Sequence, residues 1–288
     1  MSPPLKHAKI TLRRSAERGF ADHGWLKTFH TFSFADYMDR RFLGFGNLRV
    51  LNEDRVGRFS GFPTHPHSNY EIFSYILNGE LTHRDSMLSK NRSSDENGPQ
   101  FYRMRRGDVQ FTTGGTGIAH SEMNEANKTV HFLQIWVKPW KYGLKPRYHN
   151  QKFDEEAKKK AFLPILSPIK DGYEHADTDE ATVAKIPNTI PIHQDFVMGA
   201  GIIEPGKTFE WNVGYGDVIE SRSKRNVYIH VPMTNLNKDQ KARIQLDDRD
   251  DVLEEGDGAF VSLVNAGDIV SVKSVGEVPA EVVILDSN

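Results

Sequence analysis

The 288-residue chain contains no cysteine, which excludes disulfides, thiol nucleophiles, iron–sulfur clusters and cysteine-ligated zinc sites. Any metal must rest on histidine and carboxylate side chains. Neither sign of charge is in large excess: 37 Lys and Arg stand against 39 Asp and Glu, a formal net charge of −2. No overall attraction to nucleic acid or to an anionic membrane is therefore expected. Long apolar runs are missing too, none approaching the roughly 20 residues that span a bilayer. The opening stretch MSPPLKHAKITLRR lacks the apolar centre of a secretory signal. The expectation is an intracellular, monomeric protein, cytoplasmic or nuclear and not secreted. Helical patterning is equally scarce, and the one candidate is the short, highly charged run Phe153–Ala161.

What the chain does have is short runs of β-branched and aromatic residues separated by Gly, Pro, Asn and Asp. Glu71–Leu77, Asp108–Thr112, Val130–Val137, Val227–Val231 and Glu281–Leu285 are examples, joined by Phe196–Ile203, Ala242–Gln245, Gly258–Leu263 and Val270–Val272. This punctuation predicts an all-β sandwich or barrel. The polar stretch Ser86–Gln100 reads as a long loop. Composition turns irregular after about residue 140, and the chain divides into 1–140, a connecting segment 141–190 and 191–288. The second half repeats the style of the first without repeating its histidines.

Two alternate-residue pairs stand out in the first half: His65-Pro66-His67, and His120-Ser121-Glu122. Residues i and i+2 of a strand project to the same side. Two such strands set side by side would aim three imidazoles and one carboxylate at one point, a set suited to a divalent transition metal. Other candidates have blander readings. His83 and Asp85 form another alternate pair that could line a barrel. His30 sits in an aromatic run as a packed residue. His193 and His230 lie where a second site would fall but lack partner pairs. Gly114, Gly115 and Gly117 are followed by no Gly-Lys-Ser/Thr and serve better as a tight turn before His120. Lys158, Lys159 and Lys160 read as a solvated helix face, and Arg103, Arg105 and Arg106 as salt-bridging groups at a strand end.

Written out, the pattern His-x-His-x3-Glu (His65, His67, Glu71) followed by Gly-x2-His-x3-Asn (Gly117, His120, Asn124) resembles the two signature motifs of the cupin superfamily. It departs in the spacing before His65, by one residue between Glu71 and Gly79, and in having Gly115 where cupins usually carry proline. A narrower resemblance is to the pirin family. It is carried by Gly24-Trp25, His30-Thr31-Phe32-Ser33-Phe34-Ala35, Gly44-Phe45-Gly46-Asn47-Leu48-Arg49-Val50, His65-Pro66-His67, Asp85-Ser86-Met87, His120-Ser121-Glu122 and Leu133-Gln134-Ile135-Trp136. A weaker echo follows in His193-Gln194-Asp195, Tyr228-Ile229-His230 and Gly256-Asp257-Gly258-Ala259.

The resemblance implies a bicupin, two tandem double-stranded β-helix (jelly-roll) barrels, with metal in the N-terminal barrel and a degenerate second one. It implies His65, His67, His120 and Glu122 as ligands, and leaves Glu71 as an alternative fourth ligand, a group supporting the ligands or a buried hydrogen-bonding group. The implied cofactor is one divalent ion, with Fe(II) favoured and Mn, Ni, Cu, Co or Zn able to fit. The implied activity resembles that of the quercetin 2,3-dioxygenases. A flavonol's 3-hydroxyl would bind the metal, Glu122 would act as general base, O2 would be consumed and CO lost, within an apolar barrel. The alternative is an iron-dependent, redox-responsive cofactor that binds a transcription factor without turnover.

Overall fold

Runs such as Glu71–Leu77 and Val130–Val137 are mostly apolar because both of their faces are covered. In the computed structural model, which describes residues 5–85, 101–176, 183–218, 224–235 and 240–288, they are central strands of large sheets. The expected loop Ser86–Gln100 lies outside the described residues.

The chain opens with β1 (Lys9–Arg13), β2 (Gly19–Asp22), β3 (Leu26–His30) and β4 (Leu48–Val56). Next come β5 (Ser60–His67), β6 (Glu71–Asn78), β7 (Glu80–Asp85) and β8 (Tyr102–Arg105). β9 (Asp108–Thr113), β10 (Ile118–Asn124), β11 (Val130–Val137) and β12 (Arg147–Lys152) follow. One helical turn, α1 (Glu155–Lys158), starts at Asp154, whose carboxylate accepts the Glu156 amide as an N-cap. It leads to β13 (Leu163–Pro168), β14 (Ile190–Ile192), β15 (Phe196–Ile203), β16 (Thr208–Asn212) and β17 (Lys224–His230). The chain ends with β18 (Arg243–Leu246), β19 (Val252–Glu254), β20 (Gly258–Asn265), β21 (Ile269–Ser274) and β22 (Ala280–Ser287).

Each half forms a seven-stranded and a four-stranded sheet. The first pair is β12-β9-β6-β11-β4-β3-β2 with β5-β10-β7-β8, and the second is β1-β20-β17-β22-β15-β13-β14 with β16-β21-β18-β19. The two orders match strand for strand, with β4 answering to β15, β5 to β16, β10 to β21 and β11 to β22. These are the two cupin barrels of the expected all-β fold. The sheets divide the chain elsewhere than at residues 140 and 190, however. β12 lies beyond residue 140 yet pairs with β9, and β1 lies at the start yet pairs with β20. The segment 141–190 is thus no irregular connector, since it supplies β12, α1 and β13. β12 escapes sequence reading because it is an edge strand, and its run RYHNQK stays polar where a central strand would be apolar.

The two seven-stranded sheets pack face to face. Phe73, Tyr75, Phe111, Leu133 and Ile135 of the first meet Leu166, Phe196, Met198, Val283 and Leu285 of the second in one apolar cluster. The alternate residues of the same strands turn into their own barrels, as Ile76, Val130 and Phe132 do. Buried polar pairs cross the seam. His230 Nε2 lies 3.3 Å from Glu53, and the Tyr75 hydroxyl donates to Glu281 at 2.7 Å.

The second barrel is filled where the first is open. β16 and β21, the counterparts of the histidine-bearing strands, present Trp211, Val270 and Val272 to its buried core. The indole of Trp211 donates to Asp286 at 2.9 Å. His193 and His230 do not form a second centre, because both serve the seam between the barrels.

Candidate metal centre

β5 and β10 run antiparallel with His65 opposite His120 and His67 opposite Ile118. Between His120 and Glu122 the register slips: β10 advances two residues while β5 advances three, from His65 to Phe62. The extra residue falls where Pro63 has no N–H to offer a ladder, a natural place for a bulge. The turn before β10 explains the departure at Gly115. Its φ is +45°, which proline, fixed near −65°, cannot adopt. A Cβ there would also stand 1.9 Å from the Leu144 carbonyl oxygen.

Together these features bring three imidazoles around one point. The ring centroids of His65, His67 and His120 form a triangle with sides of 4.6, 4.7 and 4.7 Å. The planes stand at 82°, 62° and 88° to one another, as rings directed at a common centre do. Their ligand nitrogens all lie within 4.8 Å of one another. Nε2 of His65 and Nε2 of His120 are 3.2 Å apart. Two nitrogens each about 2.0–2.1 Å from one divalent ion would lie at close to that separation.

Tautomers and protonation agree with the same use. Nδ1 of His65 donates to the Pro63 carbonyl at 2.8 Å, leaving the lone pair on Nε2 facing the cluster. Burial, reinforced by His65, lowers His67 to about 4. Burial, with His83 and then His67 and His65 beside it, lowers His120 to about 2. At neutral pH these two rings are uncharged donors. Nδ1 of His120 is buried without a partner among the described residues.

The carboxylates divide cleanly. Glu122 is buried on the face of β10 that carries His120, and accepts from the Ser74 hydroxyl at 3.2 Å. Burial raises its pKa. Its oxygens are not among the atoms that lie within 4.8 Å in the histidine cluster. Glu71, the alternative ligand, is three residues from Ser74 on β6 and therefore on the opposite face. It lies at the seam, where Thr113 donates to it at 3.1 Å and Nδ1 of His193 lies 3.0 Å away. The strand's two-residue period removes it from the centre. His83 and Asp85 come closer than their sequence suggested. They lie opposite Glu122 and His120 in the β7–β10 ladder, bond to each other at 3.1 Å, and His83 stands 5.0 Å from the His120 ring. His30 is packed as expected, its Nδ1 2.8 Å from Asn52 Oδ1.

A cavity of about 680 Å³ opens onto the cluster. His65 and His67 form part of its wall, with Phe34, Phe62 and Trp136 around them. Trp136 stands edge-on to His67 at 5.1 Å and to Phe34 at 5.6 Å. Asn52, Asp54 and Gln134 also line it, and sequence reading passed over them as site residues. Asn52 and Asp54 carry the same i, i+2 signal as the histidines, on residue types too common to stand out.

Comparison with known proteins places these features. Residues 11–137 match the family model described as Pirin. A quercetin 2,3-dioxygenase of Escherichia coli (strain K12) is 40% identical over 189 residues, covering 64% of this chain and 76% of that protein. A pirin-like protein of Caulobacter vibrioides is 34% identical over 196 residues, covering 68% and 74%. Among solved structures, a bacterial pirin from Escherichia coli in complex with nickel(II) superposes with a TM-score of 0.74 at 28% identity, over 97% of this chain and 99% of that one.

Proposed function

The chain belongs to the pirin family, and from that premise we propose that it is a metal-dependent dioxygenase of flavonols such as quercetin. His65, His67 and His120 would hold one divalent ion, Fe(II) by preference, with Glu122 as fourth ligand. The observation that carries the reading is the convergence of three imidazole ligand positions, two of them in the wall of an open cavity large enough for a three-ring aromatic molecule. The relative named quercetin 2,3-dioxygenase and the nickel-bound pirin support it.

When bound, the ion would supply the Lewis acidity that acidifies a coordinated hydroxyl and the redox partner that O2 chemistry needs. The protein's own part is to position and to take a proton. Phe34, Phe62 and Trp136 offer aromatic edges and faces to a flat ligand and exclude water from it. Glu122, with Ser74 holding one of its oxygens, accepts the proton of the substrate's 3-hydroxyl. Its burial makes it a stronger base than an exposed carboxylate.

The test is oxygen uptake and CO release by iron-loaded protein given quercetin. Both should occur in the parent and be lost in His65→Ala. Equal turnover in His65→Ala or in metal-free protein would sink the mechanism.

A further inference from the structure

Only one end of the first barrel is lined as an apolar barrel should be, by Leu26, Val56, Ile76, Val130 and Phe132. At the level of the histidines the inner face of the large sheet carries a polar row. His30, Asn52, Gln134, Ser74 and Gln110 pair in continuous register across β3, β4, β11, β6 and β9. Several members find partners: His30 with Asn52 at 2.8 Å, Ser74 with Glu122 at 3.2 Å, and the Gln110 amide nitrogen with Thr112 at 3.1 Å.

Asp54 is different. It lies two residues from Asn52 on the same face of β4, opposite Thr28, whose hydroxyl bonds to it. It is buried and lines the cavity, yet its Oδ1 has no partner among the described residues. A buried carboxyl oxygen without a partner costs stability, and a ligand group would remove that cost. Gln134, on the neighbouring strand, borders the same space.

We propose that Asp54, with Gln134 nearby, is the specificity-determining subsite that hydrogen-bonds ring hydroxyls of the aromatic substrate. The protein would then select polyhydroxylated flavonols over those bearing the 3-hydroxyl alone. The proposal rests on the flavonol reading for the identity of the ligand. A phenol can meet either form of Asp54, donating to a carboxylate or accepting from a carboxylic acid. In the metal-free protein burial, with the charges of Glu122 and Glu53 adding to it, pushes Asp54 up to about 7.

The experiment measures anaerobic equilibrium binding of quercetin and of 3-hydroxyflavone to metal-loaded protein by ligand absorbance. One hydrogen bond to an ionisable partner should favour quercetin about tenfold in the parent. In Asp54→Val the preference should fall to about one, through weaker quercetin binding, with 3-hydroxyflavone binding and metal content unchanged. Asp54→Asn, which keeps the shape, should retain about threefold, since a neutral bond replaces the ionisable one. An undiminished preference in either variant overturns the inference. So does a parent that binds both flavonols equally, which leaves the dioxygenase reading standing. A parent that binds neither flavonol overturns both.

Discussion

Asp54→Asn should stabilise the metal-free protein, and by an amount that depends on pH. The Asp54 carboxyl is pushed from 3.8 to about 7, first by burial and then by the charges of Glu122 and Glu53, against a hydrogen bond from Thr28 that lowers it. Each tenfold change in proton affinity is worth about 1.4 kcal/mol, so the ionised side chain costs the folded state about 4 kcal/mol. The folded value is the raised one. The stability due to the neutral form is therefore complete below the unfolded value of 3.8, declines above it, and is fully lost once the pH passes about 7. Asparagine resembles the neutral acid at every pH. Whatever constant offset its amide introduces, its advantage over aspartate should grow by about 3 kcal/mol between pH 5 and pH 8. Urea unfolding of both metal-free proteins at several pH values measures this difference directly. A difference that stays flat from pH 5 to 8, or that shrinks, would refute the burial argument. Metal must be absent, because a nearby cation would favour the ionised form.

Glu71→Gln should retain metal yet lose about 1–3 kcal/mol of unfolding free energy, because it weakens a buried bond to His193; loss of metal with stability intact would return Glu71 to the centre. Glu122→Ala, in contrast, should lose metal as judged by elemental analysis, and full retention would remove Glu122 from the ligand set. Gly115→Ala should destabilise by more than about 2 kcal/mol, since a side chain at φ +45° also meets the Leu144 carbonyl at 1.9 Å. A thermal midpoint within one degree of the parent would contradict that geometry.

Much of this was legible in the residues, and for identifiable reasons. Val130–Val137 and Phe196–Ile203 declared themselves because strands covered on both faces are mostly apolar. His65, His67 and His120 declared themselves because a two-residue spacing of rare side chains fixes a common direction. Three features did not show. Glu71 is the buried hydrogen-bonding group that one reading of its motif allowed, but only the face it shares with Phe73 and Tyr75 assigns those bonds to the seam. His83 and Asp85 looked peripheral, because nothing in the chain states that β7 lies beside β10. Trp211 filling the second barrel looked like any core aromatic until β16 was seen to occupy the place that β5 holds in the first.

The central claim is that three histidines of β5 and β10 form one metal centre, and the number of bound metal ions tests it most directly. Protein purified after exposure to Fe(II), Ni(II) or another divalent ion should carry about one equivalent per chain. His67→Ala and His120→Ala should each carry less than about a tenth of that while keeping the parent's far-ultraviolet circular dichroism. About one equivalent in folded His120→Ala protein would contradict the assignment.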